Sequence, residues 1–409
     1  MLNQIPSDVI PLKELMVVMA NGKQEEEHLY ECWLTWGCGL TLQEFTDVAH
    51  EEMTTSGWAQ NHGDTVWALV RRSDPQGSIL SACETHRTRG FLKQKGGNKV
   101  ENAWYYGMTC VVTPAQHQRK GYATHLLRLM HYILASPLHL PTFPSEWGSP
   151  PSPIPIELKE YFPPAWGTFL SSEIGPDFYY RCLVGIDRRG WEAKEVWQEE
   201  VEWEILSSSR LSIPSDPSKS SPILARSESI YHAALPNPSE QRVQATSSTN
   251  KAVFCPDPAS KGILTFASVR GAYGPQPAWR KFPQPLGIRL PAHKGTSGEV
   301  HQDDTIILFA LYNQQVGDGL LITYIHNLSP DVLPSALSAL DRLISEQGAE
   351  WNMGRVWDLD SSNDLAAAWK QSGRRVNVNR RRGTGSHLLS WCFYQGKTEV
   401  LDRQLWTWL

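Results

Sequence analysis

Apolar residues at Tyr122, Leu126, Leu129, Met130 and Ile133 recur every three or four positions, which predicts an amphipathic helix. The run before it, residues 104–112, is apolar on both faces and predicts a buried central strand. Residues 65–71 and 79–85 read as two strands, joined through Ser73-Asp74-Pro75-Gln76-Gly77, whose Pro and Gly supply turn angles. Residues 29–53 hold helical stretches broken near Gly37-Cys38-Gly39. In the C-terminal part, residues 305–312 and 320–325 predict a hairpin through 313–319, followed by a helix over 331–347 and a strand over 356–359. A helix capped by Ser361 or Ser362 then runs through Trp369, and 388–394 forms a last strand.

Two stretches interrupt this pattern. Residues 136–164 contain nine prolines, so neither helix nor central strand can run there, and an extended loop is expected. Residues 207–222 hold eight Ser and three Pro and read as a linker or long excursion. These breaks divide the chain into residues 1–205 with an insertion at 136–164, an irregular 206–260, and an α+β region at 261–409.

Length and composition support two ordinary globular units. The chain has 409 residues, 41% hydrophobic and 20% charged, enough for a core without staples. A net charge of −5 gives no basic field for nucleic acid. Seven cysteines (Cys32, Cys38, Cys83, Cys110, Cys182, Cys255 and Cys392) include no CxxC, which argues against a disulfide framework or a zinc ribbon. His125 and His131 lie six apart and do not share the face a metal pair needs, so no metal is expected. The first eight residues lack a signal peptide's basic start and apolar run, and no stretch is long enough to span a bilayer, so a cytoplasmic protein without membrane association is expected.

The informative chemistry lies between the central strand and the amphipathic helix. Val111 and Val112 end the strand, a polar loop carries Gln118, Arg119 and Lys120, and Gly121-Tyr122-Ala123 opens the helix. Free amides at a helix N-terminus bind anions, and small residues let a diphosphate approach. Neither a Walker loop nor GxGxxG is present. Gln118-x-x-Gly121-x-Ala123 resembles motif A of the GNAT superfamily of acyl-CoA N-acyltransferases, and residues 169–182, with Tyr179 and Tyr180, look like motif B. Together with Ile79-Leu80-Ser81-Ala82-Cys83-Glu84-Thr85 and Val-x-Thr-Pro before the loop, these segments resemble the fungal lysine N-acetyltransferase family over residues 79–182.

The resemblance implies an α/β (α+β) GNAT fold with a mixed, splayed central sheet and a C-terminal α+β domain of its own type. It further implies acetyl-CoA held by Val111, Val112, Gln118, Arg119, Lys120, Gly121, Tyr122 and Ala123, and a small-molecule amine acceptor, led by the lysine ε-amine. Transfer would be direct, in a ternary complex. Tyr179 suits protonation of the leaving thiolate, since a phenol stays protonated at neutral pH. Glu84 is the candidate general base or amine anchor, with His86 on the same strand face. The competing readings are another acyl-CoA or a specialised-metabolite amine, and a CoA-binding sensor or scaffold without catalysis. The order of elements after residue 305 echoes half of a GNAT domain but lacks the Gly-x-Ala cradle.

Four further expectations are testable. The acidic run Glu192, Glu195, Glu199, Glu200, Glu202 and Glu204 reads as a solvated face, and the arginines between 374 and 382 as an exposed turn. His86 reads as a surface or substrate-lining residue. Most of the 17 Trp read as domain core or an interdomain seam, and Trp147 in the proline-rich loop is the first candidate to wall an acceptor cleft.

Overall fold

The computed structural model describes residues 9–37, 39–194, 198–206, 221–224, 238–247, 250–260, 263–264, 285–292, 303–312, 319–346, 352–359 and 364–404. The expected turn at 313–319 and the helix cap at Ser361 or Ser362 fall largely or wholly outside these residues.

The first sheet is built on β1 (Leu15–Met19), β2 (Asp64–Arg71), β3 (Ser81–Lys93), β4 (Val100–Val112), β5 (Ala165–Ile174) and β6 (Glu192–Ala193). Four helices attach to this part: α1 (Gly22–Trp36), α2 (Leu42–Thr55), α3 (Tyr122–Leu134) and the single turn α4 (Asp177–Tyr180). The later elements are β7 (Glu199–Glu204), β8 (Ser221–Leu224), α5 (Pro238–Ala245), β9 (Ala252–Pro256), β10 (Pro285–Leu290), β11 (Thr305–Tyr312) and β12 (Gly319–His326). They continue with α6 (Leu333–Glu346), β13 (Met353–Trp357), α7 (Asp364–Lys370), β14 (Val376–Arg380), β15 (Thr384–Phe393) and β16 (Thr398–Val400).

The first sheet runs β1-β2-β3-β4-β5-β15-β6, with β9 added beside β3 and β16 beside β9. It is mixed: β4 and β5 are parallel, whereas β2–β3, β3–β4 and β5–β15 are antiparallel. The second sheet runs β14-β7-β13-β12-β11-β10-β8. Each sheet therefore draws strands from both sides of residue 205. The last predicted strand, now β15, lies in the first sheet against β5.

Period-two alternation in β2 and β3 explains how the first sheet carries helices on both faces. Trp67, Leu69 and Cys83 pack toward Leu126, Leu127 and Met130 of α3. Ala68, Val70 and Ala82 face Cys32 of α1 on the opposite side. Glu84, two residues beyond Ala82, therefore projects to the α1 face. Glycine at 121 starts α3 in the left-handed region, at φ 82°. The second core packs Leu337, Leu340 and Ile344 of α6 against Ile307, Phe309, Leu320 and Ile322. No helix among the described residues is long and apolar enough to cross a membrane.

Several expectations are corrected. The acidic run is a solvated face only in part: Glu192 is exposed, and Glu195 lies outside the described residues. Its second half is β7, an inner strand between β14 and β13, with Glu199 and Glu200 buried. The carboxylates are answered there: Trp357 Nε1 donates to Glu200 at 2.8 Å, and Arg355 reaches Glu202 at 3.1 Å. Arg374 and Arg381 are likewise structural, whereas Arg375, Arg380 and Arg382 are exposed as expected. Arg374 makes two hydrogen bonds to buried Asp341, at 2.8 and 2.6 Å, and Arg381 makes two to Asp358, both at 3.0 Å. The proline-rich stretch is extended as expected but contains three short 3₁₀ turns (Pro137–His139, Ser145–Trp147 and Ile156–Tyr161). Trp147 is buried against Tyr132 and Phe143, under the guanidinium of Arg128 at 4.9 Å, rather than in a cleft. In each case a partner distant in sequence decides burial, which local composition does not report.

Candidate functional site

The central feature is a local parting of β4 from β5. Their pairing spans Trp104↔Ala165 to Gly107↔Phe169 and goes no further, although β4 continues to Val112 and β5 to Ile174. Beyond Gly107, β4 stays paired with β3, and β5 stays with β15. A β-bulge accompanies the parting. The β3–β4 register jumps from Glu84↔Thr109 to Ala82↔Val112, so Cys110 and Val111 oppose Cys83 alone. Cys110 takes φ 49° to accommodate the extra residue. The result is a V-shaped opening in the sheet, where the main chain at Thr109–Val112 is not covered by β5.

The loop beneath the V turns sharply into α3. Gln118 Nε2 donates to the Thr113 carbonyl at 3.2 Å, and Ser81 and Thr113 hydroxyls lie 3.0 Å apart, which fixes the strand exit. Arg119 (φ 61°) and Gly121 (φ 82°) turn the chain into α3. No side chain caps the helix, so the first-turn amides of Tyr122, Ala123 and Thr124 have no intrahelical or side-chain acceptor. The Tyr122 side chain itself is buried, and its hydroxyl accepts the Ile10 amide at 3.1 Å. A cavity of about 1050 Å³ joins this cradle to the V. Among its walls are Val111, Val112, Gln118, Arg119, Gly121 and Ala123, while Lys120 does not line it.

Glu84 and Tyr179 line the same cavity, at its sheet end. Glu84 is buried and met on both oxygens: His28 Nε2 lies 3.1 Å from Oε1, and His86 Nε2 lies 3.6 Å from Oε2. His86 Nδ1 lies 3.6 Å from Asp64, and the His86 ring packs at 4.9 Å on Trp58. Thus His86 is a buried partner behind Glu84, not a surface residue. Tyr179, in α4, packs edge-on against Phe178 at 5.0 Å and Trp191 at 6.2 Å. Burial is the largest cause that pushes its phenol well above the usual tyrosine range, with nearby Cys182 and Glu173 adding to it. It therefore remains a proton donor across physiological pH. Tyr180 does not line the cavity and instead lies under Arg189 at 5.0 Å.

Sequence reasoning overlooked His28, Trp36, Glu173 and His387. Glu173 sits on the β5 side of the V. Trp36 Nε1 donates to its Oε2 at 3.2 Å, and His387 Nδ1 lies 3.4 Å from its Oε1. His387 comes from β15, more than 200 residues downstream, so no local signal connects it to the site. For His28 the only hint is its spacing from Cys32, four residues apart on one helix face.

Two trios bring possible metal ligands within 4.8 Å of one another: His28, Cys32 and Glu84, and Asp64, Glu84 and His86. In the first, Cys32 Sγ lies 3.5 Å from Nε2 and 4.0 Å from Nδ1 of His28, so it sits beside the ring rather than ahead of the Nε2 lone pair. That geometry does not fit a metal bound at Nε2.

No family model and no curated protein matches the chain. Among solved structures, a GCN5-related N-acetyltransferase from Kribbella flavida resembles it at 8% identity, with a TM-score of 0.47 and coverage of 93% of this chain and 71% of that one. A second, from Anabaena variabilis, resembles it at 12% identity, with a TM-score of 0.45 and coverage of 93% and 73%. The mixed sheet, flanked by helices and parted between β4 and β5, is by its own geometry consistent with a GNAT-like fold in the N-terminal region, with a second α+β unit beside it.

Proposed function

We propose that this protein is an acetyl-CoA-dependent N-acetyltransferase acting on a small-molecule amine in the cytoplasm. The observation that carries the reading is one continuous cavity linking the uncapped N-terminus of α3, the bulged edge of β4, Glu84 and Tyr179. A diphosphate would accept from the amides at Gly121–Ala123, where the helix dipole and Arg119 favour negative charge. The pantetheine arm would run along the open main chain of Val111 and Val112, which brings the thioester to Tyr179.

The chemistry follows from the side chains. The amine must be neutral to attack, and Glu84 is placed to take its proton. The amine nitrogen bonds to the thioester carbonyl carbon, and the carbon–sulfur bond then breaks. Tyr179 donates its proton to the departing thiolate, a role supported by the burial that keeps the phenol protonated. Residues 1–205 supply the acyl-CoA side in this reading, and β15 contributes His387 from the C-terminal part.

The acetyl group and the lysine ε-amine, nominated by the resemblance, are where an assay begins. Release of free CoA from acetyl-CoA, followed by thiol titration across a panel of amines, tests the reading. Amine-dependent release is expected. Binding of acetyl-CoA without release in the presence of any amine would overturn it in favour of a sensor.

A further inference from the structure

Three carboxylates line the cavity: Glu31 of α1, and a pair, Glu84 and Glu173, on opposite arms of the V. Glu84 stands on β3, backed by His28 and His86. Glu173 stands on β5, beyond the parting, beside Tyr179. Only the first is needed to take a proton from the attacking amine. The second is held in place by two groups of its own, Trp36 Nε1 at 3.2 Å and His387 Nδ1 at 3.4 Å.

His387 is itself constrained. It takes φ 46°, unusual for a residue with a Cβ, and its ring stacks on Trp357 at 5.6 Å and 24°. The guanidinium of Arg381 covers the Trp357 ring at 4.4 Å and is anchored on Asp358. Strained backbone fixed by its surroundings is characteristic of functional positions. Burial lowers the affinity of His387 for a proton, the Glu173 carboxylate raises it, and Arg381 lowers it again, with a net lowering. Glu173 itself remains about one-third exposed toward the cavity that it lines. A carboxylate offers about four lone-pair sites; Trp36 Nε1 donates to one oxygen, and His387 Nδ1 stands 3.4 Å from the other.

On the acyltransferase reading above, the geometry points to Glu173 as the specificity residue that binds a second ammonium group on the acceptor, so that the substrates are diamines or amines with a distal cation. A carboxylate on the acceptor has no matching partner, because Arg119, in the phosphate cradle, is the sole Lys or Arg among the described residues lining the cavity. The distal ammonium would be the recognised feature whether it belongs to an amino acid or to a simple diamine.

The test compares kcat/KM for acetyl transfer to 1,5-diaminopentane, lysine, 6-aminohexanoate and pentylamine, in the wild-type protein and in Glu173→Gln. A charge-assisted hydrogen bond predicts that 1,5-diaminopentane exceeds pentylamine by about 10-fold or more. Lysine should likewise exceed 6-aminohexanoate, which lacks the second ammonium. Removing the carboxylate, from lysine to 1,5-diaminopentane, should cost nothing. In Glu173→Gln the diamine-to-monoamine ratio should fall to the statistical value set by the diamine's pair of equivalent amines, and this ratio is independent of how much protein folds. Trp36→Phe, which removes one of the two supports of Glu173, should reduce the ratio part of the way. Wild-type transfer without preference for the second ammonium, or a ratio unchanged in Glu173→Gln, overturns this proposal alone. No transfer to any amine overturns the acyltransferase reading and this proposal with it.

Discussion

Replacing Gly121 with alanine separates the cradle from the rest of the fold. Gly121 has φ 82°, where an L-residue costs about 1–2 kcal/mol. A Cβ built at this position meets no protein atom within 4 Å, so no steric clash adds to that cost. The melting temperature should therefore fall by no more than about 4 °C. The ligand consequence is larger. The new methyl stands in the open space over the helix start, where a diphosphate must approach, and relief of the left-handed angle would turn the first amides of α3. Calorimetric titration should show at least about a 10-fold loss of acetyl-CoA affinity, since one lost charge-assisted hydrogen bond is about 1.5–3 kcal/mol. S-acetylpantetheine, which lacks the diphosphate, should bind wild type and variant alike. Equal acetyl-CoA affinity in a folded Gly121→Ala protein would refute the cradle, and an equal loss for both ligands would show general damage to the cavity instead.

Tyr179→Phe should lower turnover while acetyl-CoA affinity stays within about twofold; unchanged turnover in steady-state assays would reject the acid role. Glu84→Gln should lower kcat/KM for the acceptor by about 10²–10⁴-fold, with a weakened dependence on pH, and a full-rate variant would remove Glu84 from the chemistry. Arg374→Met strands the fully buried Asp341 carboxylate and should cost about 3–5 kcal/mol in denaturant unfolding. Adding Asp341→Leu to it should recover most of that loss, and failure to recover would mean the pair is not the cause. His131 is buried, with Nδ1 2.9 Å from the Tyr394 hydroxyl and Nε2 3.1 Å from the Cys182 carbonyl oxygen, and burial lowers its pKa from 6.5 to about 3. A depressed folded pKa means stability is fully present above pH 6.5 and is lost as pH falls toward 3. His131→Gln should flatten that acid limb, and an identical slope would show that other groups set it.

The local parts of the site were readable because their signals are local. Residues 104–112 had to be a buried strand from their apolar run, and Gly121 had to start a helix because it stands between a polar loop and a period-3.6 stripe. The parting of β4 from β5 was implied only by resemblance, since register is set by strand partners that periodicity cannot name. Cys110 illustrates the limit. Nothing in its neighbourhood announces a positive φ, which arises because β3 offers one residue against its two. The acidic strand β7 is a stronger case: its charges read as solvent-facing, yet Trp357, Arg355 and Arg380 answer them inside a sheet.

The sequence by itself determined the elements around the cradle, because these depend on residue type and short-range spacing, while Tyr179 and Glu84 were nominated through the resemblance of residues 79–182. Tertiary structure alone decided which distant side chains meet the site's carboxylates: His28 on Glu84, where His86 already shared the strand face, and Trp36 and His387 on Glu173. Those distant partners come from α1 and β15. Strand pairing and helix packing bring them together over separations that reach more than two hundred residues, a range in which hydrophobic periodicity carries no information about who meets whom.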